Sequence, residues 1–125
     1  MRLLLDTHAF LWWADDAAEL SSTARDAIAK LENEVLFSMA SCWELSIKVS
    51  LGKFKLATPI ERFIPEQLGF RLLDISFRHV SRVATLPLHH RDPFDRLLAS
   101  QVIEDELVLV SADRIFEQYG VQRVW

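Results

Sequence analysis

Leu3-Leu4-Leu5-Asp6-Thr7-His8-Ala9 is the stretch from which the rest of the chain can be read. Three consecutive leucines without a turn residue fit a short strand buried on both faces, as in the middle of a parallel sheet. A carboxylate follows at once. An ionised Asp at the end of such a strand is costly if it points into the core, and a helix cap does not require a carboxylate there. Asp6 is therefore expected to open onto the crevice beyond the strand's carboxyl end, the edge at which open α/β sheets bind ligands.

The chain of 125 residues is expected to form one domain over 1–125 and to bury roughly two-thirds of the surface of its unfolded state. Half of the residues are apolar and 26% are charged, the profile of a globular chain. The single cysteine, Cys42, excludes an internal disulfide. No stretch resembles a secretory signal or approaches the length of a membrane span, so a soluble, cytoplasmic protein without a membrane partner is expected. Lys and Arg number 14 against 18 acids, a net charge of -4. That balance argues against holding nucleic acid by bulk electrostatics, and a polyanionic substrate would need a local basic rim or bound cations.

Outward from the first strand, Phe10, Trp13, Ala14 and Ala17 have the spacing of one helix face over Thr7 to Ala18, with Trp12 about 100° away from Trp13. A second helix, capped by Ser22, runs to Asn33 with Ala24, Ala27, Ile28 and Leu31 inward. Val35-Leu36-Phe37 is a second buried strand. The following helix, Ser41 to Leu51, opens with Ser41-Cys42-Trp43-Glu44, which fits a capping box, and ends at Gly52.

Thr58-Pro59-Ile60-Glu61 starts a helix with Phe63, Ile64 and Leu68 inward and Gly69 as its stop. Phe70 to Ile75 is a third strand. Ser76 caps a helix that turns Phe77, Val80, Val83 and Ala84 inward and Arg78, His79 and Arg82 outward. After a break holding His89-His90-Arg91, Asp92 and Pro93 start a helix to Glu104 with Phe94, Leu97, Leu98 and Val102 on its apolar face. Leu107 to Val110 is the fourth strand, Ser111 caps a short helix ended by Gly120, and Val121 to Trp125 forms an edge strand. Alternating strands and helices predict an α/β fold, a three-layer α/β/α sandwich with a mostly parallel central sheet.

On this map Asp6 closes the first strand, while Glu44 and Asp113 lie in helices that follow the second and fourth strands. Parallel strands bring these three acids to one sheet edge. Asp95, in the first turn of the helix feeding the fourth strand, joins them if that helix begins at the site. Each acid except Asp6 also suits the first turn of a helix for structural reasons alone. As a set they are costly: two carboxylates about 4 Å apart repel by about 4 kcal/mol at an effective dielectric near 20. A divalent cation or protonation of some members would relieve this. Oxygen ligands, without a second cysteine or a His-x-x-x-His pair, point to Mg²⁺ or Mn²⁺ rather than Zn²⁺. Carboxylate-held Mg²⁺ acts chiefly on phosphates, which makes phosphodiester hydrolysis the natural reaction class.

Leu4-Leu5-Asp6-Thr7-His8, Ser41 to Lys48 with Leu51-Gly52-Lys53, His90-Arg91-Asp92-Pro93-Phe94-Asp95-Arg96, and Val110-Ser111-Ala112-Asp113 together resemble the PIN-domain ribonucleases, in particular the VapC toxins of bacterial toxin-antitoxin pairs. The resemblance spans essentially the whole chain. It implies a PIN-like fold and a Mg²⁺-dependent endoribonuclease that acts on RNA, is silenced by a cognate antitoxin and is commonly a homodimer. The family's acids carry over onto Asp6, Glu44, Asp95 and Asp113, with Asp92 as a fifth candidate, and its hydroxyls onto Thr7 and Ser111. In the resulting assignment Asp6, Asp95 and Asp113 hold the metal directly or through water, and Glu44 orients the attacking water or completes a second ion's shell. Thr7 and Ser111 support them. Arg96 and Arg114, each next to an acid, either neutralise the cluster or contact phosphate. Lys48 has a helical pair with Glu44 or a phosphate contact open to it. His89, His90 and Arg91 form a solvated loop or, with Arg78 and Arg82, an RNA-facing rim.

Two alternatives remain at this level. A Mg²⁺-binding receiver-like domain would need paired acids at the first strand and an Asp ending the middle one, and Ser76 follows Ile75 instead. A non-catalytic interaction module, with Trp12, Trp13 or Trp43 on its surface, would not bind metal. The three glycines are too dispersed for a nucleotide-binding loop.

Overall fold

The computed structural model describes residues 1–67 and 69–125. Its centre is β1 (Arg2–Leu5), whose three leucines are completely buried. The remaining strands are β2 (Glu34–Ser38), β3 (Phe70–Leu73), β4 (Val108–Val110) and β5 (Arg123–Val124). They form one sheet in the order β3-β2-β1-β4-β5, with every neighbouring pair parallel. The chain thus builds outward from β1 through β2 to β3, then crosses back to place β4 on the other side of β1. The reversal falls between β1 and β4, where the carboxyl ends of two strands part and leave a crevice.

Alternating side chains of β1 feed two cores. Leu3 and Leu5 join Val35, Phe37, Val108 and Val110 beneath α1 (Thr7–Ala14), α2 (Ser22–Ala29) and Leu45 of α3 (Met39–Ser50). Phe10 lies 3.9 Å from Phe37, ring centroid to centroid, and Phe63 of α4 (Ile60–Glu66) meets it edge-on. Leu4, Leu36 and Leu109 face the other way, against Leu98, Ala99 and Val102 of α6 (Pro93–Asp105) and Phe116 of a final 3₁₀ turn, Arg114–Tyr119. Three layers result, with burial of each large apolar side chain contributing about 1.5–3 kcal/mol. Trp12 and Trp13, on different faces of α1, both pack against the first core, Trp12 against Trp125 and Trp13 against Phe70.

Several local expectations are corrected. Ser21, not Ser22, caps α2 by accepting from Ala24 N at 3.0 Å, and α2 stops at Ala29, which leaves Leu31 fully exposed. Helix α3 starts directly from β2: Ser38 Oγ accepts from Ala40 N and donates to Gln101 Oε1 at 2.6 Å, so no capping box forms at Ser41 and Glu44 sits inside the helix. Pro59, without a side-chain cap, precedes α4 in place of Thr58, and Leu68, expected to face inward, lies outside the described residues. Asp113 rather than Ser111 caps the final turn, and Gly120 closes it at φ +76°.

The largest reversal concerns α5 (Phe77–Val83). Phe77 is 84% exposed and Val80 half exposed, whereas His79 is buried. His79 Nδ1 accepts from Ser76 N at 3.0 Å, its Nε2 faces Asp105 Oδ2 at 3.0 Å, and its carbonyl accepts from Ser100. Full satisfaction of its polar atoms makes burial of this ring affordable.

Candidate active site

Asp6 follows β1 and caps α1 by accepting from Ala9 N at 2.8 Å, while its own amide donates to Val110 O of β4 at 3.1 Å. The carboxylate is thereby fixed at the crevice between β1 and β4. On the β4 side, Ser111 Oγ accepts from Asp113 N, and Asp113 Oδ1 accepts from Ile115 N, both at 3.0 Å. Helix α6 begins at the same edge, with Asp92 accepting from the amides of Phe94 and Asp95. From α3, Glu44 reaches in: its Oε1 accepts from Thr7 Oγ1 at 2.6 Å and its Oε2 lies 3.3 Å from Lys48 Nζ. The helical pairing considered for Lys48 is thus present, and the same ammonium lines the cleft.

Asp6, Glu44, Asp92, Asp95 and Asp113 all line one cavity of about 210 Å³, with Thr7, His8, Lys48 and Phe116. The condition attached to Asp95 is met, since α6 begins at the site. The cap role of Asp6, which the apolar strand before it did not suggest, coexists with its place in the cluster.

The acids disturb one another. Burial, above all, and then the charges of Asp92, Glu44, Asp6 and Asp113 push the Asp95 carboxyl up to about 7. Burial also raises Asp6, against the Ser111 hydroxyl and the Ala9 amide, which favour its ionised form. Two carboxyls held above their ordinary range in one cleft, with hard oxygen donors on several elements, suit a divalent cation.

His90 is the residue that the sequence reading misplaced. It is neither solvated nor on a rim: its side chain is 7% exposed, with Nδ1 3.8 Å from Asp95 Oδ2 and Nε2 3.5 Å from Asp113 Oδ2. Tyr119 Oη accepts from its amide at 2.8 Å, and its ring rests on Phe116 and Tyr119. The signal available in the sequence was its place next to Arg91-Asp92-Pro93, in a segment that otherwise reads as a loop.

The arginines are also reassigned. Arg96 turns away from the acids and donates to the carbonyls of Val83, Leu86, Pro87 and His90, so it ties the α5–α6 connection rather than neutralising the cluster or meeting phosphate. Arg78 and Arg82 pair with Glu104, roughly 14 Å along α6 from Asp95, which removes them from any rim at the cleft. Arg114 is exposed and lies 4.0 Å from Glu117.

The family profile of the PIN domain matches residues 3–122. Ribonuclease VapC22 of Mycobacterium tuberculosis is 30% identical over 115 residues, covering 90% of this chain and 87% of that protein. VapBC2 from Rickettsia felis, crystallised bound to a DNA fragment from their promoter, superposes with a TM-score of 0.74 at 16% identity, over 98% of this chain and 97% of that one. FitAcB from Neisseria gonorrhoeae gives 0.67 at 18% identity over 97% and 95%. At those identities the two crystal structures speak to the fold alone.

Proposed function

The chain belongs to the PIN-domain family, and on that premise we propose that it is a metal-dependent endoribonuclease, the toxin of a toxin-antitoxin pair. The observation that carries this reading is the convergence of Asp6, Glu44, Asp95 and Asp113 on one cleft at the sheet's switch point. A receiver-like domain is set aside by family membership and by the strand order β3-β2-β1-β4-β5, which differs from the 2-1-3-4-5 order of receivers.

Asp6, Asp95 and Asp113 would hold Mg²⁺ or Mn²⁺, with Asp92 at the rim. When bound there, the ion supplies Lewis-acid polarisation of a phosphoryl oxygen and activation of water at neutral pH. Glu44 is aimed by Thr7 on one oxygen and Lys48 on the other, which fits it to orient the attacking water and take its proton. Lys48, which lines the cleft, would meet an RNA phosphate in a chain whose net charge of -4 offers no general attraction. Ser111 holds Asp113 by accepting its amide proton.

The partner in this reading is a cognate antitoxin, in the cytoplasm. An exposed apolar groove lined by Trp43, Val80, Val83, Pro93, Phe94 and Leu97 beside the cleft supports a protein partner, because surfaces of this kind mark interaction sites. A homodimer belongs to the same proposal. Among the described residues no helix is long and apolar enough to cross a membrane.

A labelled-RNA cleavage assay tests the function. Purified protein should cut with Mg²⁺ or Mn²⁺, stop in EDTA, and lose the activity on Asp6→Asn. Cleavage that survives both treatments would contradict the proposal. Absence of any cleavage across varied RNAs and both metals would favour a non-catalytic module.

A further inference from the structure

Among the described residues two histidines are buried, and they differ in how their nitrogens are satisfied. His79 has both ring nitrogens at 3.0 Å from a partner, the pattern of a structural histidine. His90 is equally enclosed, yet its Nε2 has no hydrogen-bond partner among the described residues. It stands 3.5 Å from Asp113 Oδ2, and Nδ1 stands 3.8 Å from Asp95 Oδ2. Both separations exceed the usual 2.7–3.2 Å range of a hydrogen bond from nitrogen to oxygen.

The 3.5 Å between Nε2 and Asp113 suits two donors around a shared ion better than two donors bonded to each other. Adjacent ligands at octahedral positions about 2.1 Å from an ion lie about 3 Å apart, and opposite ones about 4 Å. One donor atom each from His90, Asp95 and Asp113 falls within 4.8 Å of the others, so a small contraction would close the set on a cation. The ring cannot turn away. Phe116 lies 4.5 Å from it, Tyr119 stacks nearly parallel at 14°, and the Tyr119 hydroxyl holds the His90 amide. The tautomer that protonates Nδ1 leaves the Nε2 lone pair free to bind a cation.

We propose that His90 Nε2 is a nitrogen ligand of the cation held by Asp95 and Asp113. This rests on the metal-site reading of the acids and extends it. An all-oxygen site suits Mg²⁺ and Mn²⁺ alike, whereas an imidazole nitrogen shifts preference toward first-row transition ions. The site therefore favours Mn²⁺ over Mg²⁺, and His90 sets that preference.

Pulsed electron paramagnetic resonance on Mn²⁺-loaded protein tests the assignment directly. Wild-type protein should show nitrogen modulation from bound imidazole, and ¹⁵N-histidine labelling should change its frequency without any mutation. The modulation should disappear in His90→Gln and persist in His8→Gln and His89→Gln, with folding followed by circular dichroism. Mn²⁺ affinity should fall about tenfold or more in His90→Gln, with little change for Mg²⁺. Bound Mn²⁺ without nitrogen modulation in the wild type, or modulation that survives in folded His90→Gln, would overturn the proposal and leave the acid site standing. Failure of wild-type protein to take up Mn²⁺, counted from the free-ion signal, would remove both.

Discussion

Thr7 and Glu44 are joined by a hydrogen bond of 2.6 Å, donated by a hydroxyl at the first residue of α1 to a carboxylate inside α3. The bond couples the element that carries Asp6 to the one that carries the proposed water-orienting group. Thr7→Val keeps the shape and removes the donor. It should lower the RNA cleavage rate by about 10–100-fold, the range for outer partners of metal-site residues, with little change in melting temperature. Thr7→Ser should retain most of the activity. A Thr7→Val protein as active as wild type would show that Glu44 needs no such support.

Asp6 caps α1 and is the proposed metal ligand, and substitution can separate the two. Asp6→Asn preserves a side-chain acceptor for Ala9 N, whereas Asp6→Ala removes the cap as well as the charge. Both should abolish cleavage, but only alanine should cost the cap, about 1 kcal/mol of stability in denaturant unfolding. Equal stability of the two variants would mean that the cap contributes nothing.

Asp95 predicts a pH dependence of the metal-free protein. Its folded pKa of about 7 lies above the unfolded value near 4, so the folded state binds more protons between the two. Its contribution to stability is therefore present below about pH 4 and is lost as pH rises toward 7. Relative to Asp95→Asn, wild-type protein in EDTA should lose melting temperature across that window, and saturating Mg²⁺ should flatten the difference. Parallel pH profiles for the two proteins would contradict the burial of Asp95 among neighbouring acids that raises its carboxyl.

Arg96 should prove structural. Its four carbonyl partners span Val83 to His90, and a lysine ammonium cannot reproduce the planar fork that reaches them. Arg96→Lys should lower the melting temperature while the KM for RNA stays within about twofold under conditions that keep the protein folded. A large rise in KM without loss of stability would return Arg96 to the substrate.

Much of this arrangement was legible because it depends on local pattern. Leu3-Leu4-Leu5 announces a doubly buried strand, Asp92-Pro93 a helix start, and Asp6 after the leucines a carboxylate at the sheet edge. What escaped depends on contacts distant in sequence. Nothing near His79 signals that Asp105 and Ser100 will satisfy it, so the apolar periodicity of Phe77, Val80 and Val83 points to the wrong face of α5. Likewise His90 is buried only because Phe116 and Tyr119 fold over it from the last turn. Ser41 fits a capping box on spacing alone, but Ser38, held by Gln101, starts the helix three residues earlier.

Crystals grown without metal and then soaked in Mn²⁺ offer the most direct view of the acid cluster, through the anomalous signal of the ion. The account predicts a peak in the cleft within coordination distance of the carboxylates of Asp6, Asp95 and Asp113, lost in Asp6→Asn. Soaks at concentrations that support cleavage but leave the cleft empty, or place the ion away from these three side chains, would contradict it.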